Sequence, residues 1–281
     1  MKKSGQKSRL SRFKRALYNP EKHEFLGRTC REWVLVFIFY AVAYTFLAAF
    51  FVGMLSVFLY GCLNNNVPSL TGEQSILRGR PGIELAIRPR PYSTFIQVAG
   101  TSSPINKEYV SKFDQLVKKY TKTSANENCN SPGEHPKDPN IPCSFNISVL
   151  GECSSLETAL NQGKLCLYIK MNRIYGWLPD IKDSAVIPSP AIECGGANEF
   201  DREALGPVKY FPEYSGPDGK KYGLISNNYF PYLKLDNYQA PLVAVQFPNI
   251  TRNTVVIVEC HLVGLKNSDG GTNFEVCVDD K

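Results

Sequence analysis

From Val34 to Tyr60 the chain runs for 27 residues without a charge or a proline. Globular helices alternate apolar and polar faces, whereas an uninterrupted apolar run of 18 or more residues predicts a helix that crosses a bilayer. At about 1.5 Å per residue the run covers roughly 40 Å, against a hydrocarbon core of about 30 Å, so the helix has length to tilt. A cleavable signal peptide has a much shorter apolar core. Beyond the run the pattern changes. Asn64 to Arg80 is polar and rich in turn formers, and reads as a stalk. Ile83 to Ile87 alternates weakly before two prolines, as an edge strand does. Ser103-Pro104 opens a stretch in which Tyr109, Phe113, Leu116, Val117 and Tyr120 recur at helical spacing. Residues 121–142 read as an exposed loop.

After Cys143 the period shortens to two. Phe145 to Val149, Leu165 to Lys170, Leu242 to Phe247, Thr254 to Cys260 and Phe274 to Val278 read as strands, with Ile174 to Trp177 continuing the second of them. Pro179 to Gly223 reads as one long stretch of Pro, Gly and Asp. Several short strands, frequent turns and few helices predict a mainly β body, an antiparallel sandwich with at least one added helix. The domain expectation is therefore a tail at 1–33, a span at 34–60, a stalk at 61–80 and a sandwich at 81–281.

Charge gives the span a direction. Residues 1–32 hold ten Lys or Arg against three Glu, a net +7, while the whole chain carries +6. Basic excess beside a span marks the cytosolic side, which makes this a single-pass chain with its N-terminus in the cytosol and Trp33 at the inner interface. The tail lacks any zinc-finger, homeodomain or heptad pattern, so attraction to anionic lipid explains its charge better than nucleic acid does. Met1 to Leu10 is expected to be disordered.

Within the span, Tyr40, Tyr44 and Ala48 share one face, and Thr45, Ala49 and Gly53 form a stripe of small residues on another. Small residues admit close approach of a partner helix, and tyrosines deep in a bilayer need partners for their hydroxyls. Both patterns predict docking on another membrane protein.

Nine cysteines are present, seven of them after residue 100: Cys129, Cys143, Cys153, Cys166, Cys194, Cys260 and Cys277. An oxidising compartment makes disulfides the expectation, and the lack of C-x-x-C argues against zinc or thioredoxin-like chemistry. Seven is odd, and spacing alone leaves the connectivity open. Asn146-Ile147-Ser148 and Asn249-Ile250-Thr251 are N-glycosylation sequons on the same side of the span. Metalloprotease, α/β-hydrolase, Walker A and dinucleotide-binding motifs are missing, the three His are scattered, and no Asp-x-Asp of a Golgi glycosyltransferase is found. No cofactor, metal or catalytic role is expected.

Several segments together resemble the β subunits of the Na,K-ATPase and the wider Na,K/H,K-ATPase family. They are Glu24-Phe25-Leu26-Gly27-Arg28-Thr29 before the span, Gly163-Lys164 through Cys166 to Arg173 and Gly176, Tyr229-Phe230-Pro231-Tyr232, and Pro241 through Gln246-Phe247 to Asn249-Ile250-Thr251, followed by Glu259-Cys260. The resemblance implies a type II plasma-membrane subunit with an immunoglobulin-like sandwich outside. It implies the disulfides Cys129–Cys143, Cys153–Cys166 and Cys194–Cys260, with Cys277 left over. It implies a catalytic α subunit as partner, contacted through Tyr40, Tyr44, Tyr229, Pro231, Tyr232 and Gln246. Thr45, Ala49 and Gly53 would pack against α or a small FXYD-type subunit, and the chain would assist folding and delivery of α and tune its K⁺ affinity. Leu233-Lys234 departs from the family's tyrosine-rich loop. An H,K-type subunit and a pump-independent β-like adhesion protein are the neighbouring alternatives.

Overall fold

The computed structural model describes residues 17–19, 22–63, 67–90, 92–99, 103–121, 126–129, 138, 140–182, 187–268 and 270–280. The expectation of disorder for Met1 to Leu10 falls outside them, as does most of the loop expected at 121–142. The chain divides into two compact units, Met1–Asn65 and Asn66–Lys281.

The first unit is one helix with a folded cap. Strands β1 (Tyr18–Asn19), β2 (Glu24–Phe25) and β3 (Arg28–Thr29) form a small antiparallel sheet. Phe25 pairs with Arg28 across a two-residue turn whose central residues, Leu26 and Gly27, have φ of 52° and 78°. This is the geometry of a type I′ hairpin turn, which favours Asn-Gly; Leu26 occupies its first position against steric preference. Helix α1 (Cys30–Val57) follows at once, because the Glu32 carboxylate accepts the Thr29 N–H at 2.8 Å and closes the first turn. The helix thus begins four residues before the apolar run, and ends in a wide turn over Phe58–Cys62. None of its residues is buried, and the helix is long and apolar enough to cross a membrane. The Thr45 and Ser56 hydroxyls donate back to the carbonyls of Ala41 and Val52, each at 2.7 Å, so both are satisfied without solvent.

The second unit contains β4 (Ile83–Leu85), β5 (Phe95–Val98), α2 (Pro104–Thr121), β6 (Glu127–Asn128), β7 (Cys143–Ser144), α3 (Leu156–Asn161), β8 (Leu165–Met171), β9 (Ala191–Gly196), α4 (Glu199–Leu205), β10 (Lys209–Phe211), β11 (Glu213–Ser215), β12 (Lys221–Leu224), β13 (Leu242–Phe247), β14 (Val255–Val263) and β15 (Gly271–Val278). Four strands in the order β10-β13-β8-β4 make one sheet, and six in the order β11-β12-β9-β14-β15-β5 make the other. All pairings within them are antiparallel except β15 with β5. One hydrophobic core joins the sheets: Leu167, Ile169, Val243 and Val245 from the first, Val256, Val258, Phe274 and Val276 from the second. The expected sandwich is what the structure shows, and β4 is an edge strand as its weak alternation predicts.

Strands β8 and β13 are buried on both faces, which is why they read as continuous apolar runs. Their second face lies under α2, whose Phe113 ring stacks on Tyr168 at 4.6 Å and whose Tyr109 hydroxyl donates to the Cys166 carbonyl at 3.1 Å. Burial pushes the Tyr109 and Tyr168 phenols well above the ordinary range.

Three expectations are corrected. Phe145 to Val149 is not a strand: Asn146 Oδ1 accepts the Ser148 N–H at 3.0 Å and starts a 3₁₀ segment over Ile147–Ser154, broken at Gly151. Ile174 to Trp177 does not extend β8, which stops at Met171; Tyr175 makes an isolated bridge to Tyr232. The stretch from Pro179 to Gly223 is not one loop, since β9, α4, β10 and β11 lie within it and β12 begins there.

Cys277 is unpaired and buried, set between Val255 and Gln97 on neighbouring strands. Desolvation, with the Asp279 carboxylate beside it, pushes its thiol from 9.0 to about 11. Only the thiolate reacts, so at pH 8 the folded chain should alkylate at Cys277 about a hundredfold more slowly than the unfolded chain. Iodoacetamide labelling followed by peptide mapping checks this; equal rates in the two states would overturn it.

Candidate interaction surfaces

In the first unit, helical spacing brings Tyr40 and Tyr44 together as expected: their rings stack with centroids 6.0 Å apart. Tyr40 is 51 % exposed and Tyr44 65 %, and among the described residues neither hydroxyl has a hydrogen-bond partner. An apolar environment would leave those hydroxyls wanting. Thr45, Ala49 and Gly53 follow at four-residue intervals, and a Cβ added at Gly53 would meet nothing within 4 Å. Both faces are therefore open to another helix.

In the second unit, an aromatic cluster surrounds residues 229–238. Ser226 Oγ accepts the Asn228 N–H at 3.3 Å and caps the turn Asn227–Tyr229. The Tyr229 hydroxyl donates to the Ser144 carbonyl at 3.3 Å and its ring meets Phe145 at 5.8 Å, so Tyr229 is anchored and burial pushes its phenol to about 12. Tyr232 packs edge-on against Tyr238 at 4.8 Å. The Arg173 guanidinium lies 5.5 Å from the first ring and 5.4 Å from the second, a cation held between two aromatic faces. Beside them a largely apolar cavity of about 330 Å³ is lined by Ile141, Leu178, Phe230, Pro231, Leu233 and Leu235. Sequence reasoning named Tyr229, Pro231 and Tyr232 but missed Arg173, Tyr238 and the leucines. Leu233 was legible only as a departure from a family pattern, and Arg173 lies 59 positions before Tyr232.

Gln246, expected as an α contact, is a residue of β13. Its side chain is fully buried beneath the surface, with Nε2 3.4 Å from Glu152 Oε2 and within 3.8 Å of the Cys153 and Cys166 sulfurs. It therefore lies under the exposed Glu152 carboxylate and beside the Cys153–Cys166 disulfide.

The structure pairs Cys129 with Cys143, Cys153 with Cys166 and Cys194 with Cys260, the order that the family resemblance implies. Asn146 and Asn249 are both exposed, the first in the turn that caps Ile147–Ser154 and the second at the end of β13. Among the described residues no group of three or more His, Cys, Asp or Glu could hold a metal ion.

The chain matches the family model described as the sodium/potassium ATPase beta chain over residues 3–276. It is 33 % identical over 294 residues to a probable sodium/potassium-transporting ATPase subunit beta-3 of Caenorhabditis briggsae, covering 96 % of this chain and 87 % of that protein. It is 32 % identical to a subunit beta-2 of Rhinella marina over 92 % of this chain and 90 % of the other. Against the human subunit beta-2 it is 31 % identical, over 90 % and 86 %. A match from the folded cap through the span to the last strand leaves one conclusion: the chain belongs to the sodium/potassium ATPase beta-chain family.

Proposed function

We propose that this chain is the non-catalytic β subunit of a Na⁺/K⁺-exchanging P-type ATPase, assisting the folding and delivery of the catalytic α subunit and tuning its K⁺ affinity. The observation that carries the reading is the family match through both units, over a helix that is apolar on every side and buried on none. The basic excess of the tail supports a cytosolic N-terminus and a type II orientation in the plasma membrane, with 1–33 inside, 34–60 spanning, 61–80 as stalk and 81–281 outside. Asn146 and Asn249 then face the compartment that glycosylates and oxidises. The span holds no charged residue, and ion paths through membranes are marked by such residues. K⁺ affinity is therefore altered by coupling: the chain binds one conformation of α better than another, typically by about 1–3 kcal/mol. Tyr40 and Tyr44 face α, as do Tyr229, Pro231 and Tyr232; Thr45, Ala49 and Gly53 take α or a small FXYD-type subunit.

Co-purification on blue-native gels with a large P-type ATPase α chain tests the reading; migration of the chain alone would end it. The same gel carries a sharper arm. Tyr44→Leu removes a hydroxyl from the docking face, whereas Phe46→Leu lies some 200° round the helix. Interhelical hydrogen bonds contribute about 0.6 to 1.7 kcal/mol, so α recovery should fall roughly three- to twenty-fold for the first variant and little for the second. Equal recovery would remove Tyr44 from the interface.

A further inference from the structure

At the N-terminal end of α1 the small sheet and the helix border an open cleft lined by Leu26, Arg28, Trp33, Leu35, Val36, Phe39 and Tyr40. One end is cationic, and the rest is mainly apolar, with the Trp33 and Tyr40 rings among its walls. The cleft is built, not incidental. The Trp33 indole N–H donates to the Phe25 carbonyl at 2.9 Å, which fixes the ring. The Arg28 guanidinium lies 6.0 Å from that ring, and Phe25 and Phe37 flank it at 6.4 and 6.2 Å. The Glu32 carboxylate, the nearest acid on the helix, is turned to the Thr29 N–H. Leu26 closes the cleft from a left-handed turn position where Asn or Gly would be easier, with its side chain 52 % exposed. A large apolar residue held there against backbone preference and against water is a local cost that folding alone does not explain.

We propose that this cleft is a binding site for an anionic phospholipid of the cytosolic leaflet, with the headgroup phosphate on Arg28 and an acyl chain along Leu26, Val36 and Phe39. The chemistry selects the occupant. A guanidinium is matched to phosphate oxygens, and an apolar groove running on from it into the span fits a molecule that is anionic at one end and aliphatic at the other. A free phosphate would leave the groove empty, and a zwitterionic lipid, which carries the same phosphate, would bring its own ammonium cation up to Arg28, so a headgroup of net negative charge fits better. Tyr40 belongs both to the cleft and to the face assigned to α, so the lipid would lie at the margin of that interface. The inference rests on the cytosolic, membrane-bound placement of residues 22–40 under the proposed function.

The test uses the full chain with Trp177→Phe, which leaves Trp33 as the sole tryptophan, in phosphatidylcholine vesicles. Acyl-brominated phosphatidylserine and acyl-brominated phosphatidylcholine are added at equal mole fraction, and Trp33 quenching is read. The expected result is about a fivefold preference for the anionic lipid. Arg28→Gln should abolish it, Arg28→Lys should retain at least half, and Arg31→Gln, outside the cleft, should leave it unchanged. Equal quenching by the two lipids, or an equal loss with Arg28→Gln and Arg31→Gln, would overturn the site in favour of diffuse attraction. Quenching by neither lipid would show that Trp33 is not at a membrane and would remove the placement itself, a distinguishable failure.

Discussion

Removing the Cys194–Cys260 bridge, as the double serine variant, should lower the stability of the β-sheet unit by about 4 kcal/mol, more than removal of either other bridge. The bridge closes a loop of 66 residues, against 14 for Cys129–Cys143 and 13 for Cys153–Cys166. In the chain-entropy account the long loop is worth about 4 kcal/mol and the short ones about 3. Local structure adds to the difference. Cys194 stands opposite Cys260 on neighbouring strands of the six-stranded sheet, and both are buried. The Cys194 backbone also depends on Tyr210, whose hydroxyl accepts the Cys194 N–H at 2.8 Å and donates to its carbonyl at 3.2 Å in place of a neighbouring strand. Burial holds that phenol up at about 12, so it donates throughout the physiological range. For a unit of this size about 4 kcal/mol lowers Tm by roughly 8–16 °C. Thermal unfolding of the paired serine variants, Cys194/Cys260 against Cys129/Cys143, decides it; an equal or smaller drop for the first would refute the ordering.

Gly196→Ala should be nearly as damaging, and Gly195→Ala nearly harmless. A Cβ at Gly196 would clash with the Arg202 nitrogen and the Asp201 carbonyl carbon, both backbone atoms that cannot swing aside. Helix α4 would have to lift from the sheet. That would break the bond from the Ile257 N–H to the buried Asp201 carboxylate, 3.1 Å, and disturb the Asn198 cap that holds the Asp201 N–H at 2.8 Å. Overpacking of this kind costs about 1–3 kcal/mol, and a lost hydrogen bond to a charged group about 1.5–3 more. At Gly195 an added Cβ meets nothing within 4 Å. Amide exchange at Ile257, compared between the two variants, separates a lifted helix from a general loss of stability; slow exchange retained in Gly196→Ala would contradict the steric argument.

Where burial dictates pattern, the elements were legible. Leu242 to Phe247 is a strand in the structure over the same six residues, because both its faces are covered. The helix at Pro104–Thr121 announced itself through Tyr109, Phe113 and Leu116 on one face and a proline at its start. Where a single side chain or a left-handed residue decides, the sequence misled. Asn146 alternates with its neighbours as a strand residue would, yet its side chain captures Ser148 and turns the chain. Gly195-Gly196 in β9 looks like a loop until a helix is placed against it. Of the cap at 18–29 only Glu24 to Thr29 stands out in the sequence, as a family motif, and its hairpin shape is hidden because Leu26 at a left-handed position follows no local preference. The interaction surfaces divided likewise. Tyr40 and Tyr44 are one helical turn apart and could be paired by counting. Arg173 and Tyr238 are 65 positions apart and meet only through the fold. Gln246 stands out in the sequence through its motif, and its burial follows from its place in β13, a strand covered on both faces.

The place of β15 in its sheet has a consequence for the order in which the chain can be made. Strand β15 lies between β14 and β5, and its partner β5 ended at Val98, 173 residues before β15 begins at Gly271. During synthesis β5 therefore emerges early and must wait, its edge uncovered, for the strand that joins it to the sheet. The β8–β13 pairing can form sooner, but the six-stranded layer stays open until residue 278 has left the ribosome. Contacts of such separation form slowly, and an unpaired edge is open to wrong partners in the interval. A chain with this topology is most exposed to misassembly after its long apolar helix has been made, so a companion that meets that helix early would guard the second unit before its last strand arrives.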